Sequence, residues 1–170
     1  SPPLVSVPTL DVLASRIAAP GALIVAVIDG KKGRFYGAAY AGGRKLTEDL
    51  DLAPLQLLEA AVAAFRPAAK QPGADRPGKP SEGVGPRPVV ITGPHAAGFA
   101  ELLLREPPPG SERREYEITA DPEARSGYAL ALLRVAEVRF DELGSDSVDQ
   151  GPVYVRSSDA GIARSRSKRS

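Results

Sequence analysis

Leu10, Leu13 and Ile17 recur at helical spacing near the start of the chain, and Pro20-Gly21 closes the run. Apolar residues three and four apart share one helix face, so LDVLASRIAA is predicted to form a short helix. Thr9 stands before it, where a hydroxyl can accept a first-turn N–H as an N-cap. The period then changes. Ala22–Ile28 is continuously apolar and rich in Val and Ile, which predicts a strand covered on both faces. Arg34–Ala41 predicts a second strand, since Phe35 and Tyr36 favour β structure, and Gly42-Gly43 predicts a tight turn. Lys45–Leu52, KLTEDLDL, alternates apolar and acidic residues, as an edge strand would. Three consecutive strands predict an antiparallel meander.

Helical spacing returns at Ala53–Phe65, where Leu55, Leu58, Val62 and Phe65 fall on one stripe. From Pro67 to Pro88 the chain then holds six prolines and four glycines. So little apolar surface cannot offset the entropy of ordering, and residues 67–87 are expected to be a flexible insertion. PVVIT (88–92) predicts a short buried strand, and Gly93-Pro94-His95 leads into a helix with Phe99, Leu102 and Leu103 inside. YEIT (116–119) predicts another strand. Asp121-Pro122-Glu123 supplies a cap acceptor, a first-turn proline and a first-turn acid, so a helix is expected from there to about Leu143. The order α, βββ, α, β, α, β, α is the ribonuclease-H-like arrangement shared by the lobes of actin-like phosphotransferases. The expected fold class is therefore an α/β lobe with a mixed sheet of about five strands flanked by helices.

A length of 170 residues suffices for one domain with a real core. No apolar run reaches the ~18 residues a membrane span needs, and no signal-peptide pattern opens the chain; a cytoplasmic setting is expected. With no cysteine and one histidine, His95, most zinc sites and thiol chemistries are excluded. A Ser-His-Asp system would have to pass through that single ring. Net charge is +1 overall, but residues 157–170 carry four basic side chains and one acid, which leaves the rest at −2. A disordered basic tail over 157–170 is the expectation there, and the body gives no nucleic-acid footprint.

Asp29-Gly30-Lys31-Lys32-Gly33 suggests a phosphate grip, yet a P-loop requires GxxxxGK[ST] ahead of a helix, and here a strand follows. An ordinary hairpin turn explains Lys and Gly equally well. A two-metal nuclease site would need carboxylates at several strand ends; Asp29 could supply one, but Thr92-Gly93-Pro94-His95 supplies none. Glu48, Asp49 and Asp51 read as a solvated edge, and His95 as a residue capping a helix or meeting solvent.

Four blocks in order, PLVSVPTLDVLA, VAVIDGKKGRFYGAAY, VVITGPHAAGFAEL and GPVYVR, resemble the TsaB (YeaZ) family required for threonylcarbamoyladenosine in tRNA. Pro3, Val7, Thr9, Leu10, Leu13 and Ala14 match its first block. Asp29, Gly33 and Tyr36 match the second, and Pro152, Tyr154 and Arg156 the last. Gly30, Lys31, Arg34 and Phe35 stand where the family has Ala, Arg, Glu and Val, and Arg34 reverses a charge. The resemblance covers the chain apart from the insertion and the tail. It implies the C-terminal actin-like lobe of such a protein over residues 1–156, because the family's opening phosphate strand is not found; the lack of any methionine agrees with a fragment or processed product.

The resemblance further implies a non-catalytic scaffold that acts with a TsaD-type catalytic subunit and a TsaE-type ATPase and meets tRNA indirectly. A homodimer is compatible with it. No cofactor is expected on this lobe alone, ATP or ADP belonging to the full complex, and no metal. Asp29, Lys31, Gly33, Tyr36, Tyr154 and Arg156 are then signature residues of an interface or of a vestigial phosphate-side turn. Two other readings stay open: a degenerate nucleotide-binding or hydrolase lobe, carrying the superfamily's old glycoprotease label, and an interaction module unrelated to tRNA. A lobe separated from its partner is also expected to expose an apolar patch.

Overall fold

The computed structural model describes residues 3–68, 87–105, 116–124 and 126–147. All but the borders of the 67–87 insertion, the Pro152-Tyr154-Arg156 block and the 157–170 tail lie outside the described residues. The elements are α1 (Thr9–Ser15), β1 (Leu23–Lys31), β2 (Arg34–Ala41), β3 (Arg44–Lys45), β4 (Leu50–Leu52), α2 (Pro54–Ala68), β5 (Arg87–Thr92), α3 (Ala96–Arg105), β6 (Tyr116–Ala120) and α4 (Tyr128–Leu143). They form a mixed α/β fold around one sheet in the order β3-β2-β1-β5-β6, with β4 also paired to β2. β1 and β2 run antiparallel, whereas β5 and β6 run parallel to β1.

β1 is the centre because its sequence is apolar on both faces. Leu23, Val25 and Val27 point to a core shared with Phe35, Leu57, Ile91 and Phe99, under α2 and α3. Ile24 and Ala26 point to the opposite core, with Leu10 and Leu13 of α1 and Ala38 and Tyr40 of β2. Phe35 and Phe99 meet edge to face with centroids 5.0 Å apart, a favoured aromatic geometry.

Several local expectations need correction. Thr9 is the first helical residue of α1; extended Pro8 is the cap, and its carbonyl accepts from Asp11 and Val12 N–H. The helix also ends at Ser15, where the Ile17 N–H turns back to the Ala14 carbonyl. The single edge strand over 45–52 is two short pieces. Ala39 N–H donates to the Thr47 hydroxyl at 3.0 Å, so a side chain takes the place of a ladder carbonyl and the strand breaks. Asp121 does not begin the last helix: its carboxylate accepts from Glu123 N–H within a turn, and Gly127, at φ 72, separates that turn from α4. Leu102 on α3 is exposed, while Leu57, absent from the expected α2 stripe, is almost fully buried.

Asp49 and Asp51 are not a solvated edge either. Asp49 pairs with Lys45 at 2.5 Å, and Asp51 with Arg34 at 2.8 Å. Lys45 also reaches Asp11 at 3.3 Å, and the Tyr40 hydroxyl donates to the same carboxylate at 2.7 Å. Burial holds the Tyr40 phenol well above its ordinary range, and its hydrogen bond to Asp11 adds to the effect. Burial pulls the Lys45 ammonium down, but the bond to Asp49 and the charge of Asp11 outweigh it and leave it raised.

Both shifts act on the alkaline side. Above about pH 10 an unfolded tyrosine loses its proton while folded Tyr40 keeps it, so the folded state binds more protons and stability falls as pH rises. Raised Lys45 contributes stability that is likewise lost on going up through its folded pKa. Urea midpoints taken between about pH 9 and pH 11 should fall more steeply for the native chain than for Tyr40→Phe. The extra slope should approach ~1.4 kcal/mol per pH unit. Equal slopes would show that Tyr40 ionises freely in the folded state.

Candidate functional site

β1 and β2 are joined at the end of β1 by Lys32-Gly33, with φ values of 55° and 73°, after Lys31 at 66°. Two positive φ values in a two-residue loop make the primed kind of turn that matches strand twist. Gly33 takes this conformation without strain. Lys31 takes it where the hairpin register shifts between Asp29 and Lys31, leaving a bulge, and Lys32 takes it in the turn itself. The Asp29 carboxylate holds the bulge closed: one oxygen accepts from Lys31 N–H at 2.7 Å and the other from Lys31 Nζ at 3.0 Å. The Lys31 ammonium bond, followed by the backbone bond, holds the Asp29 carboxyl below its ordinary value. The carboxylate anchors its own turn.

β5, parallel to β1, ends at Thr92 opposite Ala26, and β6 ends beside β5, so the hairpin extends past the carboxyl ends of both. The carboxyl ends of parallel strands are where α/β proteins place ligand sites. Asp29 N–H donates to His95 Nδ1 at 3.1 Å, which puts the ring proton of a neutral imidazole on Nε2 and fastens the turn to the start of α3. Gly93 precedes it at φ 116, and a Cβ built there would lie 2.2 Å from the Val27 carbonyl oxygen. Gly30 is also tight, since a Cβ would meet the Arg34 carbonyl and the Tyr36 ring at 3.3 Å each. Glycine at this position thus lets Tyr36 lie against the strand. Arg34 is engaged within the chain by Asp51 on β4.

A second cluster closes the far end of the same edge. Asp121 accepts from the buried Thr92 hydroxyl at 2.9 Å and pairs with Arg16 at 3.3 Å, and both ionic side chains are nearly buried. Arg16 donates to the Glu123 carbonyl at 2.6 Å and lies 5.0 Å over the Tyr128 ring. Between α1 and the start of α4 opens an apolar groove of about 480 Å³, reaching Val7, Leu13, Ile28, Pro94, Tyr128 and Leu132. Residues 4–6 are clasped to the end of α4: Asp146 N–H donates to the Leu4 carbonyl at 2.8 Å, and Arg139 Nε to the Ser6 carbonyl at 2.9 Å. The Ser6 N–H bond holds the Asp146 carboxyl below its ordinary value.

Of the residues singled out by sequence, Asp29, Lys31, Gly33 and Tyr36 come together in one hairpin, whereas Tyr154 and Arg156 lie outside the described residues. Val7, Thr9 and Leu13 line the groove, and Leu10 and Ala14 are buried. Sequence reasoning missed the Arg16–Thr92–Asp121 cluster. Its one signal was a threonine closing an otherwise apolar strand run. Among the described residues no group of three or more His, Asp or Glu could hold a metal, and no helix is long and apolar enough to cross a membrane. No family model, curated protein or solved structure matches the chain.

Proposed function

We propose that this chain is an actin-like, ribonuclease-H-like lobe that serves as a non-catalytic scaffold in forming threonylcarbamoyladenosine in tRNA. In that role it acts with a TsaD-type catalytic subunit and a TsaE-type ATPase. The observation that carries the reading is the Asp29–Tyr36 hairpin. It stands at the carboxyl ends of the parallel strands, where a phosphate-side turn would stand, yet its carboxylate is spent on Lys31 and its backbone on His95. Such a turn is a surface feature to be recognised. The sheet order, an antiparallel hairpin continued by two parallel strands, agrees with the lobe the sequence blocks resemble.

The same position supports a second reading, a degenerate nucleotide pocket, because the loop after β5, with Gly93 at φ 116 against Val27 of β1, brings His95 to the Asp29 N–H. One reconstitution separates them. TsaD- and TsaE-type proteins, tRNA and the threonylcarbamoyl donor are mixed with the chain alone or with the chain fused to a family N-terminal lobe. Modified tRNA is expected with the fusion only. Failure of a well-folded fusion would count against the scaffold, and ATP turnover by the chain alone that Asp29→Ala abolishes would establish the second reading.

A further inference from the structure

The groove between α1 and α4 has walls from four parts of the chain, among them Val7, Leu13, Ile28, Pro94 and Leu132, and no charged side chain lines it. At about 480 Å³ it is large enough for a ligand or a few side chains. Its occupant must be apolar, since a charge carried into it would lose its water and find no partner.

We propose that the occupant is this chain's own segment 152–155, with the sequence PVYV. The place where the described chain stops is the first argument. Asp146 N–H donates to the Leu4 carbonyl, and the Asp146 carboxylate accepts from Ser6 N–H. Val7, the residue after this clasp, is already a wall of the groove. Residues 148–170, which lie outside the described ones, therefore set out from its rim. Length is the second argument. Leu132 and Tyr128 border the groove eleven and fifteen residues before Leu143, the last residue of α4. At the helical rise the way back is about 17–23 Å. Pro152 and Val155 stand six and nine residues past Asp146, a reach of about 20–30 Å when extended. Composition is the third. Beyond Ser147, bulky apolar side chains adjoin one another only at Val153, Tyr154 and Val155, whereas Val148 and Ile162 stand singly. Being tethered, this segment meets the groove at an effective concentration that a free partner would have to exceed. Docked there, it straps α4 to α1 and withdraws Tyr154 from any partner surface. The inference stands apart from the tRNA-modification reading, because it uses no residue of the hairpin.

The chain has no cysteine, so one introduced thiol carries a nitroxide spin label cleanly. With the label on Ser157→Cys in the full chain, the methyl NMR signals of Leu13, Ile28 and Leu132 should lose most of their intensity. Reducing the nitroxide should restore them. Val153→Asp with Val155→Asp in the same labelled chain should abolish the loss at all three residues. Leu132→Lys should abolish it at Leu13 and Ile28, with an unchanged circular dichroism spectrum because Leu132 is 45% exposed. Full methyl intensity in the labelled native chain would overturn the proposal, and so would a loss that survives Leu132→Lys. A loss that appears equally when isotope-enriched chain without the label is mixed with labelled chain would overturn it too, assigning the groove to the segment of a second copy.

Discussion

Gly93→Ala is expected to remove on the order of 4 kcal/mol of folding stability, a large part of what a domain of this size has. Two effects add. The backbone there has φ 116, where a side chain is strained by about 1–3 kcal/mol. The new methyl would also lie 2.2 Å from the Val27 carbonyl oxygen and 3.2 Å from Leu13 Cδ1. The first of these neighbours is backbone of the central strand and cannot swing aside, so β5 and β1 must part, an overpacking penalty of about 1–3 kcal/mol. Gly43→Ala provides the control. It has φ 75 with no neighbour within 4 Å, so only the conformational term of about 1 kcal/mol applies. Urea unfolding of both variants should separate them by several kcal/mol; matching losses would mean that the approach of β5 to β1 is looser than described.

The elements themselves were legible because their residues state a period. β1 is apolar at every step from Leu23 to Ile28 and sits in the middle, between two cores. Arg34–Ala41 coincides with the predicted second strand. The boundaries that failed were those set by groups distant in sequence. Thr47 ends the edge strand through a bond to Ala39, eight residues away. Asp121 looked like a helix cap because its local sequence favours one, but its carboxylate is held by Thr92 and Arg16. The hairpin at Asp29 was visible as a turn, yet nothing local foretold that His95, 66 residues on, would accept its N–H.

Asp121→Ala should be nearly as damaging as Gly93→Ala, at about 3–5 kcal/mol. The Arg16 and Asp121 side chains are only 9% and 7% exposed. Deleting the carboxylate leaves a buried guanidinium with one carbonyl partner, strips the Thr92 hydroxyl of its acceptor, and frees the Glu123 N–H. Removing both charges is a different matter. Arg16→Met with Asp121→Leu leaves no stranded ion, and buried pairs replaced by apolar side chains are often close to neutral. The double variant should therefore be more stable than Asp121→Ala alone, despite losing the Arg16 contact with the Tyr128 ring. That contact ties the cluster to the first turn of α4, where Tyr128 also donates its hydroxyl to the Ala124 carbonyl. Amide exchange should accordingly quicken at the start of α4 in Asp121→Ala before it does in β1. Uniform acceleration through β1 and α4 would show that the cluster supports the whole fold rather than the seating of this helix.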